Sequence, residues 1–137
     1  MRLLSQYFDW HDMLRAARRR DWKLFRREWV FFKQRWERGW DDSDTWSLDM
    51  VIGRFIAPRL KRFREMDTGG VPGVFLRKEN PTDKDFERAR TQWNEKLDAM
   101  IAAFEIMGAE CLASPEQEKI KAKGLRLFAH WCYTLWW

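Results

Sequence analysis

Between residues 93 and 107 the apolar side chains Trp93, Leu97, Met100, Phe104 and Met107 recur at alternating steps of four and three. That spacing returns to one side of a 3.6-residue helix turn after turn, and it conflicts with a strand, whose faces alternate at every residue. Phe86 and Ile101 support the same stripe. Thr82-Asp83-Lys84-Asp85 ahead of it has the form of a capping box, and Gly108 is a suitable stop. The pattern predicts one long amphipathic helix, against which other elements must bury their own apolar sides.

The same period recurs on both sides of that segment. Leu3, Tyr7, Trp10, Leu14 and Ala17 form one stripe, and Trp22, Phe25, Trp29, Phe32 and Trp36 form a second. Asp21 is a competent N-cap between them, yet Arg18, Arg19 and Arg20 include no breaker, so two helices and one long bent helix both fit. Gly39 suits the end of whichever helix precedes it. Ser114-Pro115-Glu116-Gln117 is a second capping box with proline at the first helical position. The helix it opens presents Ile120, Gly124, Leu127, Phe128, Trp131 and Leu135, and Gly124 on that face leaves room for another helix. The closing Leu135-Trp136-Trp137 is expected to dock.

The one clear loop is residues 67–81, with Asp67, Gly69, Gly70, Pro72, Gly73 and Asn80-Pro81. Its tandem glycines are followed by no Lys-Ser/Thr, so a turn-rich connector fits and a phosphate loop does not. The expected fold is all-α: a compact bundle of four to five amphipathic helices with one Gly/Pro-rich loop near residues 67–81. Residues 1–137 are expected to form a single helical domain, in which a basic, aromatic region 1–39 packs on or extends from 40–137.

Residues Trp40 to Asp49 open a further helix, expected from about Thr45 to about Glu65 and burying Leu48, Ile52, Phe55, Ile56, Leu60 and Phe63. Asp41, Asp42, Ser43 and Asp44 suit its N-cap and first turn, and Arg59, Lys61, Arg62 and Arg64 suit its last turns. Pro58 removes one hydrogen bond and predicts a kink, because the stripe continues across it. Asp49 lies about a turn inside, where a buried carboxylate paired to an arginine of a neighbouring helix is the leading reading and a ligand-contacting acid the alternative. Trp46 and Asp49, three positions apart, are expected to border any functional cleft.

Charge is unevenly placed. Residues 1–40 hold eleven Lys/Arg against five Asp/Glu, whereas residues 41–137 hold fifteen against sixteen. A basic N-terminal excess suits nucleic acid, an anionic membrane surface or an acidic protein, and equally one solvated helix face. Arg15, Arg18, Arg19, Lys23, Arg26 and Arg27 are the candidate polyanion contacts, and Lys33 and Arg35 continue the series. They lie among Trp10, Trp22, Trp29 and Trp36, and interleaved cations and aromatics suit single strands or a membrane interface. The tryptophans fall on the apolar stripe, however, and so are expected to face the core, which argues against a membrane surface. Trp46, Asp49, Arg54, Arg59, Lys61 and Arg62 are the candidate ligand or partner contacts.

No catalytic set is visible. His11 and His130 are the only histidines, and His130 and Cys132, two apart on a helix, point away from each other. Neither a metal nor a cofactor is expected, and an enzyme is the third reading after two kinds of binding protein. Cys111 and Cys132 make no disulfide framework and are expected as small core residues. Met1-Arg2-Leu3-Leu4 is followed by Gln6, Asp9 and Asp12, and no apolar run approaches the roughly 18 residues of a membrane span. A reducing cytoplasmic setting is the expectation.

The string Trp40-Asp41-Asp42-Ser43-Asp44-Thr45-Trp46-Ser47-Leu48-Asp49, followed by Phe55-Ile56-Ala57-Pro58-Arg59-Leu60-Lys61-Arg62-Phe63, resembles a family of small helical proteins encoded by tailed bacteriophages and prophages. The resemblance continues through Gly70-Val71-Pro72, through Trp93, Leu97, Met100, Ile101, Phe104 and Glu105, and through Gly124, Leu125, Leu127, Phe128, Trp131, Leu135 and Trp136. It covers about residues 30–137, and the more tryptophan-rich N-terminus before Phe31 departs from it. The resemblance implies a phage origin and brings no catalytic residues. The expectation is therefore a phage accessory protein in the host cytoplasm that engages a host or phage protein, with countering a host defence system as one role. The alternative is a nucleic-acid or nucleotide-binding module using the basic N-terminal face. Homo-oligomerisation would absorb surplus aromatics under either reading.

Overall fold

The computed structural model describes residues 10–66, 70–76, 80–109 and 112–135. Its described residues form five α-helices and three short 3-10 turns, with no strand among them, so the chain is all-α as its periodicity predicts. Where the sequence pattern places all residues in one domain, the chain packs as two compact units, Met1–Leu48 and Asp49–Trp137. Leu3, Tyr7, Cys111 and the terminal Trp136-Trp137 lie outside the described residues.

In the first unit, α1 (Trp10–Arg18) and α2 (Trp22–Arg38) are separate helices that pack on each other. The break needs no glycine. Arg20 adopts φ 54°, and the amides of Arg20 and Asp21 return to the carbonyls of Ala17 and Ala16 at 3.2 and 3.0 Å. That is a Schellman ending with arginine in the left-handed position, which costs about 1–2 kcal/mol without glycine. Asp21 then caps α2 by accepting from the Leu24 amide at 3.0 Å. Gly39 closes it at φ 81°, its N–H donating to Arg35 at 2.9 Å.

The acids after Gly39 do not cap the following helix as expected. Asp41 instead caps a 3-10 turn, Asp42–Thr45, whose reciprocal box joins Asp41 to Ser43 N–H at 2.8 Å and the Asp41 N–H to Asp44 at 3.2 Å. Asp41 is wholly buried because its carboxylate also takes the guanidinium of Arg35, itself 8% exposed. Pairing with Arg35 pulls the chain back along α2, so α3 starts only at Leu48.

The second unit is built on α4 (Asp83–Gly108), whose Ala89, Trp93, Leu97, Met100, Ile101, Ala103 and Phe104 are buried. The capping box at Thr82 and Asp85 forms as its sequence predicts, and so does the one at Ser114 and Gln117 that opens α5 (Pro115–Trp131). Helix α5 closes on α4 where Gly124 meets Ala99 and Ala103, and the Phe104 and Phe128 rings meet edge-on at 4.8 Å.

Helix α3 (Leu48–Met66) runs without a break through Pro58. Its buried face is Gly53, Ala57 and Leu60, with Ile56 and Phe63 half-buried against the core. Leu48, Ile52 and Phe55, expected inside, are exposed. The cause is close approach: a Cβ on Gly53 would lie 2.4 Å from the Gly108 amide nitrogen, so the small residues turn toward α4 and the larger ones turn away. Ile120 of α5 is exposed as well. Within the loop, Gly73–Phe75 forms a 3-10 turn that lays Phe75 against Trp93 and Trp131.

Candidate functional site

A row of exposed aromatics lies on α2. Trp22, Trp29 and Trp36 are 71%, 53% and 83% exposed, which overturns the expectation that they face the core. Glu28 and Arg35 are buried in their place, with Leu24, Phe25, Phe31 and Phe32 half-buried. The inward face thus follows 24, 28, 31 and 35, about one residue's rotation, roughly 100°, from the tryptophan stripe. The ion pair of Arg35 with Asp41 orients α2 this way, since a buried guanidinium needs its carboxylate.

Seven-residue spacing puts the three indoles on one line about 21 Å long. Arg26 and Lys33 fall three and four residues from the flanking tryptophans, so the row alternates ring, cation, ring, cation, ring. Trp22 and Phe25 meet edge-on at 6.1 Å, and Trp29 lies tilted on Phe32 at 5.7 Å, which steadies both indoles from the side. Val30 is exposed next to them. Lys33 makes only a 3.6 Å surface pair with Glu37, and Arg26 has no ion pair among the described residues.

On either side of the α1–α2 break, Arg15, Arg18, Arg19, Lys23, Arg26 and Arg27 are all exposed. Arg27 pairs with Glu28 at 3.0 Å. Farther along, the Gln34 amide donates to Asp42 at 2.7 Å and Arg38 pairs with the same carboxylate. These bonds, Gln34 first and Arg38 second, hold the Asp42 carboxyl below its ordinary value. The Arg38 guanidinium also lies 3.7 Å over the Trp40 ring.

The second predicted group is divided between the two units. Trp46 is exposed and meets Phe31 edge-on at 5.8 Å in the first unit, while Asp49 belongs to the second. Asp49 is exposed, with no arginine partner among the described residues, and it lines a cavity of about 220 Å³ with Met107, Lys121 and Leu125. The buried salt bridge expected for it does not form: Asp49 shares the Gly53 side of α3 but stays exposed, and the cavity it lines offers Lys121 and no arginine.

The cations of α3 are largely engaged. Arg54 donates to the Gly108 carbonyl at 2.6 Å, Lys61 pairs with Glu105, and Arg62 pairs with Glu65 at 3.5 Å. Arg59 lies 3.5 Å over the Phe55 ring and donates to its carbonyl. Arg54 and Lys61 do share the wall of a groove of about 410 Å³ with Pro58 and Phe104. Cys132, expected in the core, is half-buried.

Among the described residues, no three His, Cys, Asp or Glu side chains are placed to hold a metal ion. No helix there is long and apolar enough to cross a membrane. Sequence reasoning named the cations of the α2 face but missed its tryptophans as surface groups. Their heptad spacing, with Glu28 and Arg35 on another side, was the available signal. Comparison with known protein families, curated proteins and solved structures returns no match.

Proposed function

We propose that this is a phage-encoded accessory protein of the host cytoplasm that acts by seating α2 in an apolar, acid-rimmed groove of another protein. The exposed row Trp22–Arg26–Trp29–Lys33–Trp36 carries the reading. Bare indoles in a line are unfavourable in water, and Trp and Arg are the side chains that dominate protein interfaces. A convex helix ridge suits helix-in-groove recognition, whose anchors recur at one-face spacing. A single strand would instead need a channel to track its backbone. Charge selects the occupant: with eleven Lys/Arg against five Asp/Glu in residues 1–40, a second copy would oppose like charges, whereas an acidic rim would pair Arg26 and Lys33. Interference with a host defence protein fits such a role.

The test is affinity purification from infected cells with the wild-type chain, the Trp22→Ala/Trp29→Ala/Trp36→Ala chain and the Arg26→Glu/Lys33→Glu chain. One stoichiometric acidic partner is expected with the wild type and with neither variant. With that partner purified, each single Trp→Ala change is expected to weaken binding at least about 30-fold, a hot-spot loss of about 2 kcal/mol. Retention by the triple variant would sink the proposal. So would a wild-type dimer that the triple variant abolishes, because the face would then join two copies.

A second reading rests on the α1–α2 corner, where Arg18, Arg19, Arg20, Lys23 and Arg26 are exposed without ion pairs among the described residues. If these five contact phosphates, binding of a labelled single-stranded oligonucleotide falls roughly 100-fold between 50 and 200 mM salt. Affinity that stays flat over that range excludes phosphate contact.

A further inference from the structure

The second unit holds a cavity of about 550 Å³ lined by Val74, Phe75, Arg88, Gln92, His130 and Trp131, none of them named above as a partner contact. Three elements meet there: the 3-10 turn Gly73–Phe75, α4 and α5. Its floor is aromatic and fixed. Phe75 stacks on Trp131 at 5.3 Å and 25°, Trp131 meets Trp93 edge-on at 5.6 Å, and Trp93 is anchored in the core. Two flat side chains locked by a third form a preformed surface on which a planar ring gains contact without ordering cost.

The polar lining is Arg88, Gln92 and His130. Arg88 and Gln92 are one turn apart on α4 and so share a face, while His130, edge-on to Trp131 at 4.7 Å, comes from α5. Asp85 holds Arg88 through Oδ1 at 3.2 Å, while its Oδ2 is committed to Thr82 in the capping box. A guanidinium has five N–H donors, so this contact orients Arg88 and leaves donors for a ligand. Arginine, a carboxamide and an imidazole beside an aromatic floor recognise a ring and a negative charge together. The volume lies in the range of small-molecule sites.

We infer that this cavity binds a small planar aromatic anion, its ring on Phe75 and Trp131 and its carboxylate or phosphate on Arg88. Gln92 and His130 complete the polar rim. The site belongs to the unit that lacks the α2 face, so it stands or falls independently of the partner-docking proposal.

Calorimetric titration of the full chain tests it with four probes: benzoate, a purine nucleoside 5′-monophosphate, inorganic phosphate and neutral benzyl alcohol. Saturable binding is expected for benzoate or the nucleotide, and whichever binds distinguishes a carboxylate from a phosphate ligand. Arg88→Gln is expected to weaken that binding about tenfold or more, the worth of a charged hydrogen bond. Gln92→Ala is expected to weaken it less, and Arg62→Gln on α3 not at all. Trp131 is followed by its indole N–H resonance, identified by its loss from a Trp131→Phe chain, and it should shift with the binding probe in the wild type. Equal binding of benzyl alcohol, tighter binding of inorganic phosphate alone, or an unchanged affinity in both Arg88→Gln and Gln92→Ala would each overturn the assignment. No binding by any of the four would do the same.

Discussion

An Asp41→Ala chain is expected to lose about 3–5 kcal/mol of stability in its N-terminal unit, the cost of leaving a buried guanidinium without its carboxylate. Arg35 is 8% exposed and Asp41 fully buried, so water cannot replace the missing partner without opening the unit. Asp41 also accepts from the Ser43 amide at 2.8 Å and from the Ser43 hydroxyl, so the same change removes the cap of the 3-10 turn, worth about a further 1 kcal/mol. The informative control is Arg35→Met/Asp41→Leu. Replacing both charges by apolar groups removes the desolvation cost with the attraction, and such exchanges are commonly neutral or stabilising. The double variant should therefore recover most of the loss and remain about 1 kcal/mol below wild type, the value of the lost cap. Urea unfolding followed by tryptophan fluorescence and far-ultraviolet circular dichroism measures all three chains. A loss below about 1 kcal/mol in Asp41→Ala would mean that Arg35 reaches water, and the account of how α2 is oriented would fail with it.

Gly124→Ala should destabilise the second unit even though alanine is the better helix former. Exchanging a mid-helix glycine for alanine ordinarily gains about 1 kcal/mol. Here the new Cβ would lie 2.3 Å from the Ala99 carbonyl oxygen and 2.4 Å from the Ala103 Cβ. One of those atoms is backbone and the other a methyl with no rotamer to yield, so α5 must move off α4. Overpacking of this kind costs typically about 1–3 kcal/mol. With contacts this short the cost lies at the upper end of that range, so the net expectation is a loss of up to about 2 kcal/mol for Gly124→Ala and about 3 kcal/mol or more for Gly124→Val. Gly73→Ala is the control, because nothing lies within 4 Å of its added Cβ. Its change should stay within about 0.5 kcal/mol. Thermal unfolding of the three chains decides the matter, and a stabilised Gly124→Ala would show that the two helices are not held at this distance.

These two sites differ in how far the sequence revealed them. Gly124 was legible: a glycine on an apolar stripe between Ile120 and Leu127 points to a close helix crossing, and α4 runs past it there. Asp41 was half legible. Its capping chemistry is evident from Asp41-Asp42-Ser43-Asp44, but the local sequence points to the following long helix as what it caps. Its pairing with Arg35, six residues back, gave no signal at all. The candidate site shows the same division. The cations of the α1–α2 corner were named correctly as exposed, because charged side chains rarely leave water without partners. The stripe of Trp22, Trp29 and Trp36 is the more hydrophobic one and by itself predicts an inward position, a preference that the Arg35–Asp41 pair overrides. On α3 the large residues Leu48, Ile52 and Phe55 yielded the inward position to Gly53 and Ala57. Arg88, Gln92 and His130 carried no sequence signal, being brought to one cavity from two helices.

By itself, the sequence determined the all-α class, the starts at Thr82 and Ser114, the stop at Gly39 and the buried stripe of α4. Each of these depends on atoms within a few residues of one another, or on a stripe so strongly apolar that only one face can be buried. The tertiary structure alone decided which sector of α2 and α3 faces inward, and therefore which aromatics are available to a partner. A repeat of 3.6 residues defines the spacing of a face and leaves its rotation free. That rotation is set by whatever the helix packs against: the Asp41 carboxylate for α2, and the backbone of α4 near Gly108 for α3.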